Sequence, residues 1–300
     1  MNRDDRECES EFEREGVSER GLGGFLRSLF SGIPWSERSE GEETLTLPAP
    51  SAGCLRVDNA NGRTRIVGED RDDVAVEVRK AARAESIEHA ARLVEEIRIL
   101  HREDGSGTLE IEVDIPGRWN RKGRADLTIH VPRGTEASVT AANGRICLSG
   151  VRAAVRLHSS NGPIQVDDVI GDIEIHTANA KVRTECTCGR LLARSSNGKI
   201  ELQDHRGSVD AATSNGTIRC ELEEIGKHGC VLVTSNGRIS LSLPEDVDGD
   251  VDIRVDNGII RTAREIASAA RERTGRLKGT LGRGGPPIRL RASNGTVHLR

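Results

Sequence analysis

A turn signal recurs along the chain at a fixed spacing. Asn-Gly occurs at positions 61, 143, 161, 197, 215, 236, 257 and 294, and Asn179-Ala180 fills the gap in the series. From Asn143 to Asn215 every step is 18 residues long, and the later steps are 21, 21 and 37 residues. Such a register indicates an internal repeat, in which each unit is one small structural element that stacks on the next.

Apolar residues keep the same phase in every unit. The third residue after the turn asparagine is Ile146, Ile164, Val182, Ile200, Ile218 and Ile239 in successive units. Polar and apolar residues alternate on both sides of the turn, which predicts two short strands per unit, each with one face inward. Identical phasing favours coils stacked about 4.8 Å apart over independent hairpins, because each position then lies against its counterpart. The sequence therefore predicts an all-β fold, a parallel β-solenoid (β-helix) of ~18-residue coils, with its handedness undetermined.

The turn residues are expected to stack as well. Asparagine side chains in neighbouring coils can form a hydrogen-bonded amide ladder, and glycine relieves backbone strain in the turn. The predicted structural ladder consists of Asn143, Gly144, Asn161, Gly162, Asn179, Asn197, Gly198, Asn215, Gly216, Asn236 and Gly237.

Two segments depart from the repeat. Apolar residues at helical spacing predict short helical insertions at about 85–99 and 263–274. Residues 36–43, SERSEGEE, have the composition of a solvated linker. The predicted organisation is an N-terminal segment, residues 1–43, followed by a solenoid with helical insertions, residues 44–300.

The N-terminal segment is acidic, with 12 acidic and six basic residues, and we expect it to be partly disordered. An apolar stripe at i, i+3, i+4 and i+7 predicts an amphipathic helix at about 21–33. This helix could cap the open first coil or dock on a partner, and contact with a membrane surface is the alternative. The residues assigned to docking or capping are Phe25, Leu26, Leu29, Phe30 and Trp35.

Charge limits the classes of partner. The net charge of −4 argues against nucleic acid as the main partner. Residues 254–300 contain three acidic and 11 basic residues, the reverse of the N-terminal segment. This asymmetry is either ordinary solvated surface or a source of head-to-tail attraction, so a protein partner or self-association is expected. The acidic N-terminus and the absence of a long apolar run predict no secretory signal, no transmembrane segment and a cytoplasmic location.

One group of residues could bind a metal ion. Cys186, Cys188 and His205 occupy positions seven, nine and eight after their turn asparagines, in adjacent coils. Thiolates and an imidazole gathered at one corner would suit Zn²⁺, with Asp168 or Asp204 as a fourth ligand. The alternative is ordinary turn residues with free thiols, because CxC is not a standard zinc motif. No organic cofactor is predicted.

An enzymatic role is not expected. Solenoids that cleave carbohydrates need clustered acids and usually aromatic platforms for the sugar rings. Asp167, Asp168, Asp204 and Asp210 supply acids, but the coils contain no aromatic residue.

The chain resembles the bacterial "putative adhesin" family, a domain of unknown function with SNG repeats in a β-solenoid. The resemblance rests on the repeated SNGxI, on AESIEHAARLVEEIRI leading into GTLEIEVDIP, and on the closing GTLGRGGPPIRLRASNGTVHLR, and it covers residues 44–300. It implies a cell-envelope association and brings no catalytic motif. We therefore predict a non-enzymatic scaffold or interaction module. The alternative is a scaffold that assembles end to end into filaments, and a polysaccharide-active enzyme ranks third.

Overall fold

The computed structural model describes residues 37–116, 123–272 and 275–300. Eighteen strands and one helix follow one another along these segments. In chain order they are β1 (Glu37–Pro48), β2 (Cys54–Asn59), β3 (Thr64–Glu69), β4 (Asp73–Ala84), α1 (Ile87–Glu96), β5 (Arg98–Glu103), β6 (Thr108–Asp114), β7 (Gly123–Pro132), β8 (Glu136–Ala141), β9 (Ile146–Ser149), β10 (Val155–Ser159), β11 (Ile164–Ile170), β12 (Ile173–Thr177), β13 (Val182–Ser195), β14 (Ile200–Ser242), β15 (Gly249–Thr262), β16 (Ala267–Glu272), β17 (Arg276–Leu281) and β18 (Pro287–Leu299).

The middle of the molecule is a stack of parallel coils. Strands pair with their counterparts 18 residues away, as in the pairs Val155↔Ile173 and Ile164↔Val182. β14 continues through two ladder turns without a break, because backbone pairing includes the turn residues. The strand-rich, solenoid-like architecture predicted from the repeat is therefore confirmed.

A single aliphatic core runs through the stack. The third residue after the turn asparagine is buried in every coil except that of Asn257, where Ile260 is half-buried, and Ile146, Val182, Ile200 and Ile239 are 0% exposed. These side chains join one continuous cluster from β1 to β18. Consecutive side chains of a strand point to opposite faces, so the residues on either side of each buried position face outward.

Chain order and spatial order differ at both ends of the stack. The coil formed by β2 and β3 lies between the coil of β6 and β7 and the coil of β8 and β9. At the other end, β18 lies between β14 and β15, with Asn294 opposite both Asn236 and Asn257. The last strand of the chain is therefore not the last strand of the stack.

Antiparallel strands flank the parallel coils. β1 pairs with β4, β4 with β7, and β5 with β6, while β17 pairs with both β15 and β16. The interpretation of residues 36–43 as a linker is wrong for residues 37–43, which form the first part of β1. Their acidic side chains fit a strand because Glu42 and Glu43 reach Arg79 and Lys80 of β4, at 3.3 and 2.6 Å.

The two predicted helices have different outcomes. α1 lies within the first predicted insertion; Ser86 caps its N-terminus, and its buried face packs on Ala82 and Ala84 of β4. The second predicted helix, 263–274, is wrong: residues 267–272 form β16, antiparallel to β17. The neighbouring strand offers backbone pairing there, and tertiary pairing overrides the helical preference of an Ala-, Glu- and Arg-rich segment.

The predicted amphipathic helix at 21–33, with Phe25, Leu26, Leu29, Phe30 and Trp35, lies outside the described residues. Within the segments that the structure does describe, there is no helix with the length and apolar character needed to cross a bilayer.

Candidate binding surface

The predicted ladder asparagines lie in one hydrogen-bonded column. In eight hydrogen bonds of 2.9 to 3.1 Å, a side-chain amide Nδ2 donates to the Oδ1 of the asparagine in a neighbouring coil. In spatial order the column contains Asn61, Asn143, Asn161, Asn179, Asn197, Asn215, Asn236, Asn294 and Asn257. The ladder fixes the phase of every coil, and with it the rows of side chains on either side.

The second and fourth residues after each ladder asparagine form two adjacent outward rows, because the third residue packs inward, although Cys147 in the second of these rows is buried. These rows are rich in cations, and we call their cations the basic strip. It consists of Arg63, Arg65, Arg145, Lys181, Arg183, Lys199, Arg219, Arg238 and Arg261. His298 also lies in these rows, and Glu201 is their one acidic residue in the nine described coils.

Glu201 lies beneath the centre of the basic strip. Its side chain is only 12% exposed and is surrounded by Lys181 at 2.7 Å, Arg219 at 3.2 Å and Lys199. Burial on its own would raise the pKa of Glu201, but the hydrogen bonds and charges of the two lysines outweigh it and lower the pKa to about 2. One carboxylate thus holds three cations in place and leaves the cluster with a net positive charge.

The basic strip has defined borders. On one side lies the asparagine ladder, most of whose side chains are exposed. On the other side, six residues after the asparagine, the row contains three acids, Asp167, Glu185 and Glu221, and one cation, Arg300. Arg183 reaches across this border to Glu185 at 3.0 Å. The positive surface is therefore long but only two rows wide.

The predicted metal ligands are not brought together. Cys186 and Cys188 are exposed, whereas His205 is buried and its Nδ1 lies 2.9 Å from Thr187 Oγ1. Burial and the carboxylates of Asp167 and Asp204 also raise the pKa of the Cys186 thiol, which disfavours the thiolate that zinc requires. The described part of the chain contains no group of three His, Cys, Asp or Glu side chains that could hold a metal ion.

The burial of His205 predicts a pH-dependent stability. Burial lowers its pKa from the usual 6.5 to about 4, so between these values the unfolded chain binds a proton that the folded chain does not. Stability is then fully present above pH 6.5 and is lost as the pH falls towards 4, by at most about 3 kcal/mol. We expect His205→Gln to make the free energy of unfolding, measured in urea, less dependent on pH across this window.

The matched control for this measurement is His158→Gln, at an exposed position on another strand. It removes one histidine without changing the core and should keep the wild-type pH dependence. Equal slopes for wild type and His205→Gln would contradict the buried neutral imidazole. The carboxylate of Glu201 loses its contribution at lower pH, between about 4.5 and 2, so the two effects occur in separate windows.

The basic strip was not among the residues singled out from the sequence. Its signal was nevertheless present, because Lys or Arg follows the turn asparagine by two or four residues in seven of the nine units. Counting charge by phase within the repeat, rather than by position along the chain, would have found it.

Comparison with known proteins gives one family match. A family model described as Toastrack DUF4097 matches residues 55–300. No curated protein sequence matches the chain.

Several solved structures are similar at low sequence identity. A "putative adhesin" from Bacteroides fragilis is 11% identical, with a TM-score of 0.47, over 87% of this chain and 98% of that one. A "putative lipid binding protein" from Parabacteroides distasonis is 11% identical, with a TM-score of 0.42, over 87% and 97%. A "putative cell adhesion protein" from Clostridium sporogenes is 11% identical, with a TM-score of 0.31, over 88% and 99%.

Proposed function

Since the chain belongs to the Toastrack DUF4097 family, as its resemblance to adhesin-like repeats indicated, we propose that it is a non-enzymatic interaction module. Its stack of coils acts as a rigid scaffold that presents outward side chains to a partner in fixed rows. Many weak contacts in register then add up to useful affinity, because binding at one coil raises the effective concentration at the next. The cytoplasmic location expected from the sequence belongs to the same proposal.

One observation carries this proposal: the asparagine ladder holds the two outward rows of the basic strip in phase over nine coils. A surface of this kind is built for repeated contacts rather than for one reacting group.

The acids considered for carbohydrate cleavage support a non-enzymatic role. Asp168 accepts two hydrogen bonds from Arg152 Nη2, at 2.9 and 2.8 Å, and Asp210 accepts one from Arg194 at 2.7 Å. A glycosidase needs one carboxyl group that is protonated and free to donate to the leaving group. Two of the four candidates are instead held by arginines.

End-to-end assembly is the second candidate, favoured by the last strand of the stack. Pairing of β15 with β17 ends at Arg254, so residues 257–262 pair in register with β18 on one side. Ile259 in this stretch is 53% exposed. Edge strands of this kind can pair with another chain, and the acidic β1 at the opposite end of the stack offers a complementary charge.

Light scattering of the full chain across a range of concentrations separates the two candidates. An interaction module keeps the mass of one chain at every concentration. A filament grows with concentration, and its growth weakens in high salt. In that case Ile259→Glu should stop growth, because it places on the edge a charge that repels the acidic β1, whereas Thr296→Glu, in the same row one coil inward, should not. If the wild type grows with concentration, and Ile259→Glu stops this growth while Thr296→Glu does not, the filament replaces the interaction module.

A further inference from the structure

The charge pattern of the basic strip is that of a binding site for a linear polyanion. Nine cations and one buried carboxylate occupy the two rows over nine coils, a length of roughly 40 Å at the spacing of paired strands. Arginine predominates among them, and its planar guanidinium can hold a carboxylate through two hydrogen bonds. A ligand with one anionic group per monomer could meet one or two cations in seven of the nine coils.

The borders of the basic strip disfavour binding of a broad anionic surface. A bilayer or a DNA duplex laid on this face would also cover Asp167, Glu185 and Glu221, which repel it. A single narrow chain can follow the two rows without meeting the acidic row. The width of the positive surface therefore favours a polymer one chain wide.

The residues on this face also indicate which class of anionic polymer it can bind. Proteins that bind single-stranded nucleic acid stack the bases on aromatic side chains. None of the residues in the described segments is Phe, Trp or Tyr. The exposed asparagine amides beside the strip can instead donate to hydroxyl groups, since the ladder bond uses one of the two N–H groups of each amide. Carboxylates with neighbouring hydroxyls are the chemistry of acidic sugars.

We propose that the basic strip binds a linear polyuronate, with the polymer running along the solenoid axis. The carboxylates of the sugars pair with the cations of the seven coils that carry them, and the sugar hydroxyls face the asparagine ladder. This inference rests on the proposed function as an interaction module, and it names the ligand class and the face that binds it.

The test measures binding of the full chain to polygalacturonate by isothermal titration calorimetry at low and high salt. The affinity should fall steeply with salt, because cation pairing releases counterions from the polymer. Fully methyl-esterified polygalacturonate has the same backbone without charge and should not bind. Vesicles rich in phosphatidylglycerol test for a general attraction to anionic surfaces and should bind weakly or not at all.

A triple variant tests whether the polymer binds at the basic strip. Arg145→Gln, Arg238→Gln and Arg261→Gln together remove three cations that do not hold Glu201, so the buried carboxylate keeps its partners. We expect an affinity for polygalacturonate weaker by about tenfold. The matched control combines Arg190→Gln, Arg289→Gln and Arg291→Gln. It makes the same change in net charge on the strand segments that precede the ladder turn, outside the basic strip, and should bind like wild type.

Each other outcome overturns the proposal. Equal losses in the two triple variants would mean that binding follows net charge rather than the strip. Binding to the esterified polymer, or tighter binding to vesicles than to polygalacturonate, would assign the face to another ligand. If no probe binds while the light-scattering mass stays that of one chain, the polyuronate is wrong and the interaction module stands. Concentration-dependent growth counts against the module itself.

Discussion

Ile200→Asp is expected to abolish or severely weaken folding of the stack. Ile200 is 0% exposed and pairs with Val182 in the adjacent coil, in the continuous aliphatic core. No Lys or Arg is among the buried side chains of the described segments, so a carboxylate at this position would find no cation. An uncompensated buried charge costs about 4 kcal/mol or more, a large part of the 5 to 15 kcal/mol that stabilises a typical domain.

The measurement is urea unfolding followed by circular dichroism, with attention to the amplitude as well as the midpoint. In a repeat fold each coil contacts only its neighbours, so a defect in the middle can leave parts of the stack folded and reduce the amplitude. Thr217→Asp is the control. Thr217 lies two residues after Asn215, in an outward row between Lys199 and Arg238, and its replacement should change stability by less than about 0.5 kcal/mol. Unchanged unfolding of Ile200→Asp would mean that the inward face has been assigned to the wrong residues.

The repeat predicted the middle of the stack well because one period determines three properties of each residue. It gives the strand, the face and the neighbour in the next coil, so that Ile164 and Val182 could be paired from spacing alone. It could not give the order of the coils at the ends. Asn61 stacks on Asn143 across 82 residues, and Asn294 enters between Asn236 and Asn257. Phase says that two coils are equivalent, but not which of them are adjacent.

The predicted metal ligands are kept apart for a local reason. The position of Cys186 in the repeat was known, but its backbone was not: Cys186 has a φ of 50°, as Asp168 and Asp204 have 49° at the same phase. These left-handed residues interrupt the simple alternation of inward and outward positions along the strand. The imidazole of His205 therefore points into the core while the thiols remain outside. Cys gives no sign of such a bend, although the Asp residues at the same phase do, because Asp tolerates a left-handed backbone better than most residues.

The helix predicted from composition at residues 267–272 was also wrong. Ala, Glu and Arg favour a helix in an isolated chain, yet this segment lies beside β17, whose other edge is paired with β15. An open strand edge offers a full set of backbone hydrogen bonds, and this outweighs a preference worth a few tenths of a kcal/mol per residue. At α1, by contrast, an N-cap at Ser86 and an apolar face against β4 both favour the helix.

Gly295→Ala is the second substitution with a large expected effect, because β18 is enclosed by strands on both sides. Gly295 has a φ of 149°, in the region that favours glycine. A Cβ atom there would overlap the carbonyl oxygen of Gly237 and lie 2.8 Å from its carbonyl carbon. The backbone cannot move away easily, since the neighbouring Asn294 is hydrogen-bonded to Asn236 at 2.9 Å and to Asn257 at 3.1 Å. We expect a loss of about 2 to 4 kcal/mol in the free energy of unfolding.

The control for this substitution is Gly134→Ala. Gly134 has no positive φ, and a Cβ atom there would meet nothing within 4 Å. Its replacement should be neutral or stabilise the fold by up to about 1 kcal/mol through the unfolded state. Ala180 shows that a methyl group can follow a ladder asparagine where φ is not positive, so the loss at Gly295 tests the combination of strain and close approach. If the two variants unfold at the same urea concentration, β18 is not tightly enclosed between β14 and β15, and the proposed order of coils at this end of the stack must be revised.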